Sequence, residues 1–262
     1  MLRLEEMHEK AIEIEKLLRL RTYPLALKML AKEEDVPAGA KRPFKDMGNT
    51  LALCQSISLA RRQGMSIAML KEDMRCFEPV VGLGIEPPPE YFLAGHNRYP
   101  QSAKTLEAGG TWAKGMPRLE AGKYIGVAVS PLANANYMPD IFILYPDGHQ
   151  LTQILIAANW IDGRDVDSVL SGHAACVYTI APVLRDQDFK ISSPCFGDRR
   201  LGMATADEMI FSGPIRMLKD LAEGIKYNYD GAEGLPFPYL MVTNYQLRPS
   251  YEKIGKMLGM NV

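Results

Sequence analysis

The segment Asp140-Ile141-Phe142-Ile143-Leu144-Tyr145 decides the fold class. After its opening acid the side chains are apolar without a break, too continuous for a strand with one wet face. It therefore reads as a strand of a sheet covered on both faces. Upstream, Gly122 to Pro131 carries Tyr124, Ile125, Val127 and Val129 and reads as a second strand. Downstream, Gly148 introduces a helix over 149–160, with a further helix around 173–181, a late strand at Glu208–Phe211 and a helix from Pro214 to about Ile225.

The first third alternates in the same way. A helix with a partly apolar face over 5–20 is stopped by Tyr23-Pro24, and Leu25–Leu30 follows as a short buried strand. Asn49 or Thr50 is placed to cap a helix over 51–63 that ends at Gly64, and Met65–Leu70 reads as a strand. A helical hairpin is expected over 91–111, and Ser250 is placed to cap an amphipathic helix in the tail. The class is α/β or α+β, a mixed sheet with flanking helices.

Residues 1–230 form a single α/β domain in this reading, and 231–262 a C-terminal extension with a terminal helix. An internal echo divides the domain into halves of about 20–135 and 136–230. In each, a strand, a helix with Gln55 or Gln153, then Cys76 or Cys176, then Arg118 or Arg200, recur in order. Two pseudo-symmetric halves would make Cys76 and Cys176 equivalent, flanking a shared site.

Thirty Lys and Arg against 31 Asp and Glu leave a net charge of −1, which argues against a nucleic-acid binder. No run of about 18 apolar residues is present, so no membrane span is expected. Early acids at Glu5 and Glu6 and the lack of an apolar h-region argue against a signal peptide, so the expected location is cytoplasmic. The 47% hydrophobic content is compatible with a homodimer. Phosphate-loop, dinucleotide, zincin and nucleophile-elbow templates are missing.

The four cysteines, Cys54, Cys76, Cys176 and Cys195, show no Cys-x-x-Cys pair. The densest polar cluster is Ser192-Ser193-Pro194-Cys195-Phe196-Gly197-Asp198-Arg199-Arg200, whose glycine and proline argue against regular helix. Such a loop either lines a site, with Arg199 or Arg200 gripping an anion, or is a solvated turn with a structural Asp198–arginine pair. In Gly172-His173-Ala174-Ala175-Cys176 the His lies one helical turn from the Cys, a spacing for joint metal binding, an activated thiolate or plain core packing. His8, His96 and His149 read as surface residues.

Pro24-Leu25-Ala26-Leu27-Lys28, Pro37-x-Gly39-Ala40-Lys41-Arg42-Pro43, Cys54-Gln55, Gly82-Leu83-Gly84, Pro117-Arg118-Leu119 and Cys195-Phe196-Gly197-Asp198-Arg199-Arg200, in that order, resemble the domain of unknown function 169 family of bacteria and archaea. The resemblance covers roughly residues 8–225 and implies that the four cysteines share one thiolate site. That family is most at home in anaerobes, which suggests a [4Fe–4S] cluster held by Cys54, Cys76, Cys176 and Cys195, or by three of them. Asp198 and Cys76-Phe77 depart from the family's usual residues there. With four ligands electron transfer to a redox partner protein is the natural role. With three, an open iron could act on a small anionic substrate in a cluster-dependent oxidoreductase or lyase, with Lys28, His173, Asp198, Arg199 and Arg200 orienting it or moving protons. The alternatives are a structural zinc protein with four cysteine ligands and a metal-free enzyme with Cys195 or Cys176 as nucleophile.

Overall fold

A computed structural model of the chain describes residues 2–230 and 247–260. The elements run α1 (Leu4–Leu18), β1 (Leu25–Leu30), α2 (Pro43–Met47), α3 (Leu53–Gln63), β2 (Ile67–Leu70), α4 (Phe77–Gly82), α5 (Glu90–Leu93), α6 (Leu106–Gly115) and β3 (Gly126–Pro131). They continue with β4 (Ile141–Leu144), α7 (Gly148–Asp162), α8 (Ala175–Asp186), β5 (Lys190–Ser192), α9 (Phe196–Arg200), β6 (Ile210–Pro214), α10 (Leu218–Asp230) and α11 (Pro249–Met257). The fold is mixed α/β, and its six strands form one antiparallel sheet in the order β2-β3-β1-β4-β6-β5.

Strand periodicity sorts the core into two layers. Leu25, Leu27, Ile67, Met69, Val127, Val129, Ile141 and Ile143 pack under α3 and α8 with Leu53, Ile57, Ala175, Ile180 and Val183. Ala26, Phe142, Leu144 and Phe211 face the other way, under α1, α7 and α10. Every residue of β4 is buried, as a strand covered on both faces requires.

The strand order reads the same from both edges. In each half the first strand lies at the centre, the third beside it and the second at the edge: β1, β3, β2 on one side and β4, β6, β5 on the other. The halves meet at the antiparallel pairing of β1 with β4, centred on Ala26 opposite Phe142. This topology corrects the expected equivalence of Cys76 with Cys176. Cys54 and Cys176 are each the second residue of the helix before the edge strand, in α3 and α8. Cys76 and Cys195 each immediately precede the short helix after that strand, α4 and α9.

Other local expectations also change. Ala52, not Asn49 or Thr50, occupies the N-cap position of α3, where the Gln55 side chain accepts from the Ala52 N–H at 2.9 Å. Pro249 opens α11 after Arg248, so Ser250 lies inside the first turn rather than at the cap. The Cys195 loop, expected to resist helix, turns into α9. His8 is half-buried, with its Nε2 2.8 Å from the Ala135 carbonyl.

The short helices cross to the opposite half: α4 packs on α8, and α9 packs on α3. Glycine permits both approaches. A Cβ at Gly82 would overlap the stiff Val177 side chain, and one at Gly202 would lie 3.0 Å from the Cys54 carbonyl oxygen and 3.2 Å from its Cβ. Gly82→Ala should cost about 1–3 kcal/mol in urea unfolding by forcing α4 off α8. An unchanged unfolding midpoint would show that this contact is loose.

Candidate functional site: a four-cysteine cavity

The crossed packing brings together cysteines far apart in sequence. All four line one cavity of about 180 Å³, walled also by Leu53, Glu78, Arg98, His173, Phe196 and Asp198. That is far more space than one ion needs. Cys54 and Cys195 lie together on one side, both beside Gly197. A Cβ there would stand 3.6 Å from the Cys195 Sγ and 4.0 Å from the Cys54 Sγ, meeting no other heavy atom as near. Cys76 and Cys176 form the other couple through the α4–α8 contact. The two long helices α3 and α8 aim their N-terminal ends at the cavity, where the helix dipole favours negative charge.

Two carboxylates flank the sulfurs. The Cys76 Sγ donates to Glu78 Oε2 at 2.7 Å, and the Cys195 Sγ lies 3.8 Å from Asp198 Oδ2. Asp198 is buried, and loss of water raises its carboxyl to about 6 against an ordinary 3.8, with Arg61 only partly offsetting this. Its other oxygen faces the Tyr145 hydroxyl at 3.5 Å, and the Tyr145 ring stacks under the Arg61 guanidinium at 4.0 Å. Arg61 is tied to Glu208 by two bonds of 2.8 and 3.1 Å, both groups fully buried. Glu208 also accepts the Thr205 N–H at 2.8 Å, so this ion pair clasps the segment after α9 onto α3.

Burial dominates the thiols. It pushes Cys54 up to about 12, with Asp198 and Cys195 adding to the shift, and it holds Cys76 and Cys176 well above the ordinary thiol value. These three remain thiols at neutral pH unless a cation enters the cavity.

The opposite wall is built by Arg98, from the segment between α5 and α6. Its guanidinium stacks on Trp112 at 3.8 Å and reaches His173 Nδ1 at 3.2 Å and Glu78 Oε1 at 3.5 Å. Arginine can only donate, so Nδ1 accepts and the neutral ring carries its proton on Nε2. Burial, then Arg98, lowers the His173 pKa. His173 precedes α8 rather than sharing a helix face with Cys176, and Ala174 between them adopts a left-handed φ of 52°.

The cavity thus gathers Cys54, Cys76, Cys176, Cys195, His173 and Asp198. It does not gather three other residues singled out in the sequence. Lys28 alternates with Leu27 and Met29 and lies on the Ala26 side of β1, across the sheet. Arg199 and Arg200 are exposed, Arg199 donating to the Thr205 carbonyl and Arg200 lying over Phe196. Sequence reading missed Arg98 and Glu78. For the cysteines a usable signal was present: Ala-x-Cys at 52–54 and 174–176, and Cys-Phe at 76–77 and 195–196, repeat with Cys-to-Cys spacings of 22 and 19.

Among the described residues no three His, Cys, Asp or Glu side chains converge closely enough to ligate one metal ion. No described helix is long and apolar enough to cross a membrane.

The Asp198 carboxyl gives a signed pH test. Its folded pKa exceeds its unfolded one, so the fold favours the protonated form. That contribution is full below about pH 4 and is lost as pH rises through about 6. Relative to Asp198→Asn, the wild-type chain should lose roughly 3 kcal/mol of unfolding free energy across this window. Parallel pH profiles for the two proteins would contradict the assignment.

No curated protein and no solved structure gives a significant match to the chain. The family model for the domain of unknown function 169, described as uncharacterised ArCR, matches residues 13–224, a span that holds all six strands and all four cysteines, and the chain belongs to that family.

Proposed function

We propose that the cavity binds a [4Fe–4S] cluster through Cys54, Cys76, Cys176 and Cys195. The observation that carries this reading is the convergence of four cysteines, two from each half, on one cavity at the N-terminal ends of α3 and α8. The donor set suits the group. Each cysteine of such a cluster binds a different iron, so its sulfurs stand around a volume instead of meeting at a point. The open space between the Cys54 and Cys195 sulfurs, faced by Gly197, is compatible with that spacing.

The same geometry weighs against the alternatives. Structural zinc needs four sulfurs about 2.3 Å from a single centre, and the described residues offer no such convergence. A metal-free nucleophile at Cys176 needs a thiolate, whereas burial keeps that thiol protonated. Binding of a cationic group reverses that preference, because ligation and deprotonation are coupled.

When bound, the cluster supplies one-electron transfer or, with one iron open, Lewis acidity. The chain's own residues hold the sulfurs in two crossed couples and present Glu78, Asp198 and His173 as proton-handling groups at the wall. Electron transfer with a redox partner protein in a reducing cytoplasm follows most directly. A small anionic substrate is the counterpart if one cysteine leaves its iron free.

Protein purified anaerobically should be brown and contain about four irons and four acid-labile sulfides per chain. Cys54→Ser or Cys176→Ser should deplete both. Stoichiometric zinc with no sulfide would favour a scaffold role, and colourless, metal-free protein after strictly anaerobic handling would overturn the reading.

A further inference from the structure

Arg98 is the only Lys or Arg among the described cavity-lining residues, and it shares the lining with four sulfurs and two carboxylates. Its side chain is held from three directions, by the Trp112 ring, His173 Nδ1 and Glu78 Oε1, and it is only 12% exposed. The other buried guanidinium nearby, Arg61, is neutralised by Glu208 through two bonds and lies behind Tyr145, outside the lining. The Glu78 contact to Arg98 is longer, at 3.5 Å, and Glu78 Oε2 is already engaged by the Cys76 thiol. The fixed positive charge of the lining therefore stands on one side only, beside Glu78, although the sulfurs are arranged in two matching couples.

We infer that Arg98 is the positioning counter-charge of the cavity and sets how readily the bound group accepts an electron. The inference rests on the cluster reading above and adds a residue to it. Uptake of one electron from a one-electron reductant makes and breaks no bond here, and leaves the group one unit more negative. A fixed guanidinium beside a partly dry cavity stabilises the more negative state more strongly, because the attraction is weakly screened there. His173 and Trp112 keep that charge in place instead of letting it turn toward solvent.

The test is a redox titration of the full chain, reconstituted anaerobically with ferrous iron and sulfide, poised with dithionite and followed by visible absorption and electron paramagnetic resonance. Arg98→Gln should keep wild-type iron and sulfide contents. At the wild-type midpoint potential its reduced-to-oxidised ratio should fall about tenfold, a shift of about 59 mV to more negative potential for a one-electron couple. Arg98→Lys, which keeps the charge, should stay within about threefold of wild type. A fully loaded Arg98→Gln protein with the wild-type midpoint would overturn the inference. So would equal shifts in both variants, which would make shape rather than charge the cause. Should Arg98→Gln fail to fold, Glu78→Gln tests the same balance from the opposite side. It should raise the reduced fraction, and an unchanged or lower one would overturn the inference. Wild-type protein without iron and sulfide would instead overturn the cluster reading itself, before any variant is compared.

Discussion

The pairing of β1 with β4 is the constraint on which the rest of the structure depends. Three residue pairs, from Leu25 opposite Ile143 to Leu27 opposite Ile141, join two three-strand units edge to edge in an antiparallel sense. The two units have the same strand order about this seam, and α3 and α8, like α4 and α9, take the same places in their order of elements. Both long helices therefore lie on one face, with their N-terminal ends brought toward each other. The cysteines at the second residue of each long helix, and just before each short one, meet as a consequence. Slipping this register by one residue would exchange the faces of every side chain in one half and pull the couples apart.

The cavity concentrates groups that burial disfavours in their charged forms. Four sulfurs, two carboxylates and a guanidinium share a small space, and burial opposes ionisation of Cys54, Cys76, Cys176 and Asp198. Such an arrangement persists because the surroundings fix it. Arg61 and Glu208 clasp the segment after α9, Gly82 and Gly202 allow the close helix crossings, and Trp112 and His173 seat Arg98. A buried ion pair such as Arg61–Glu208 adds little net stability, but losing one partner costs about 3–5 kcal/mol. Its value here is to fix where the Cys195 segment sits.

Much of this was legible in the chain. The apolar run Ile141–Tyr145, the short strand at Leu25–Leu30 and the glycine-ended helix to Gln63 follow from periodicity and punctuation, and each forms close to its expected bounds. The three-residue strand β5 carries too little pattern to be seen. Helix α9 was hidden by the glycine and charges of its sequence, and tertiary contacts hold it in place, with Asp198 facing the Tyr145 hydroxyl and the helix packed on α3. The recurrence of cysteines was visible, but their correspondence was misread, because Cys76 and Cys176 are neighbours across the cavity and not equivalents. Charged residues adjacent in sequence drew attention to Arg199 and Arg200, whereas α9 turns those outward and the segment between α5 and α6 brings in Arg98, 97 positions before Cys195. Long-range placement of one side chain leaves no local signature in a single sequence.

The central claim is that four cysteines from two like halves hold one polynuclear group. Iron K-edge X-ray absorption on the anaerobically reconstituted chain tests it most directly. The account predicts a first shell of sulfur alone and a second shell of iron at short distance, both degraded by a single Cys→Ser change in either half. A first shell of oxygen and nitrogen with no neighbouring iron would contradict it, leaving the cavity as a set of buried thiols without a shared task.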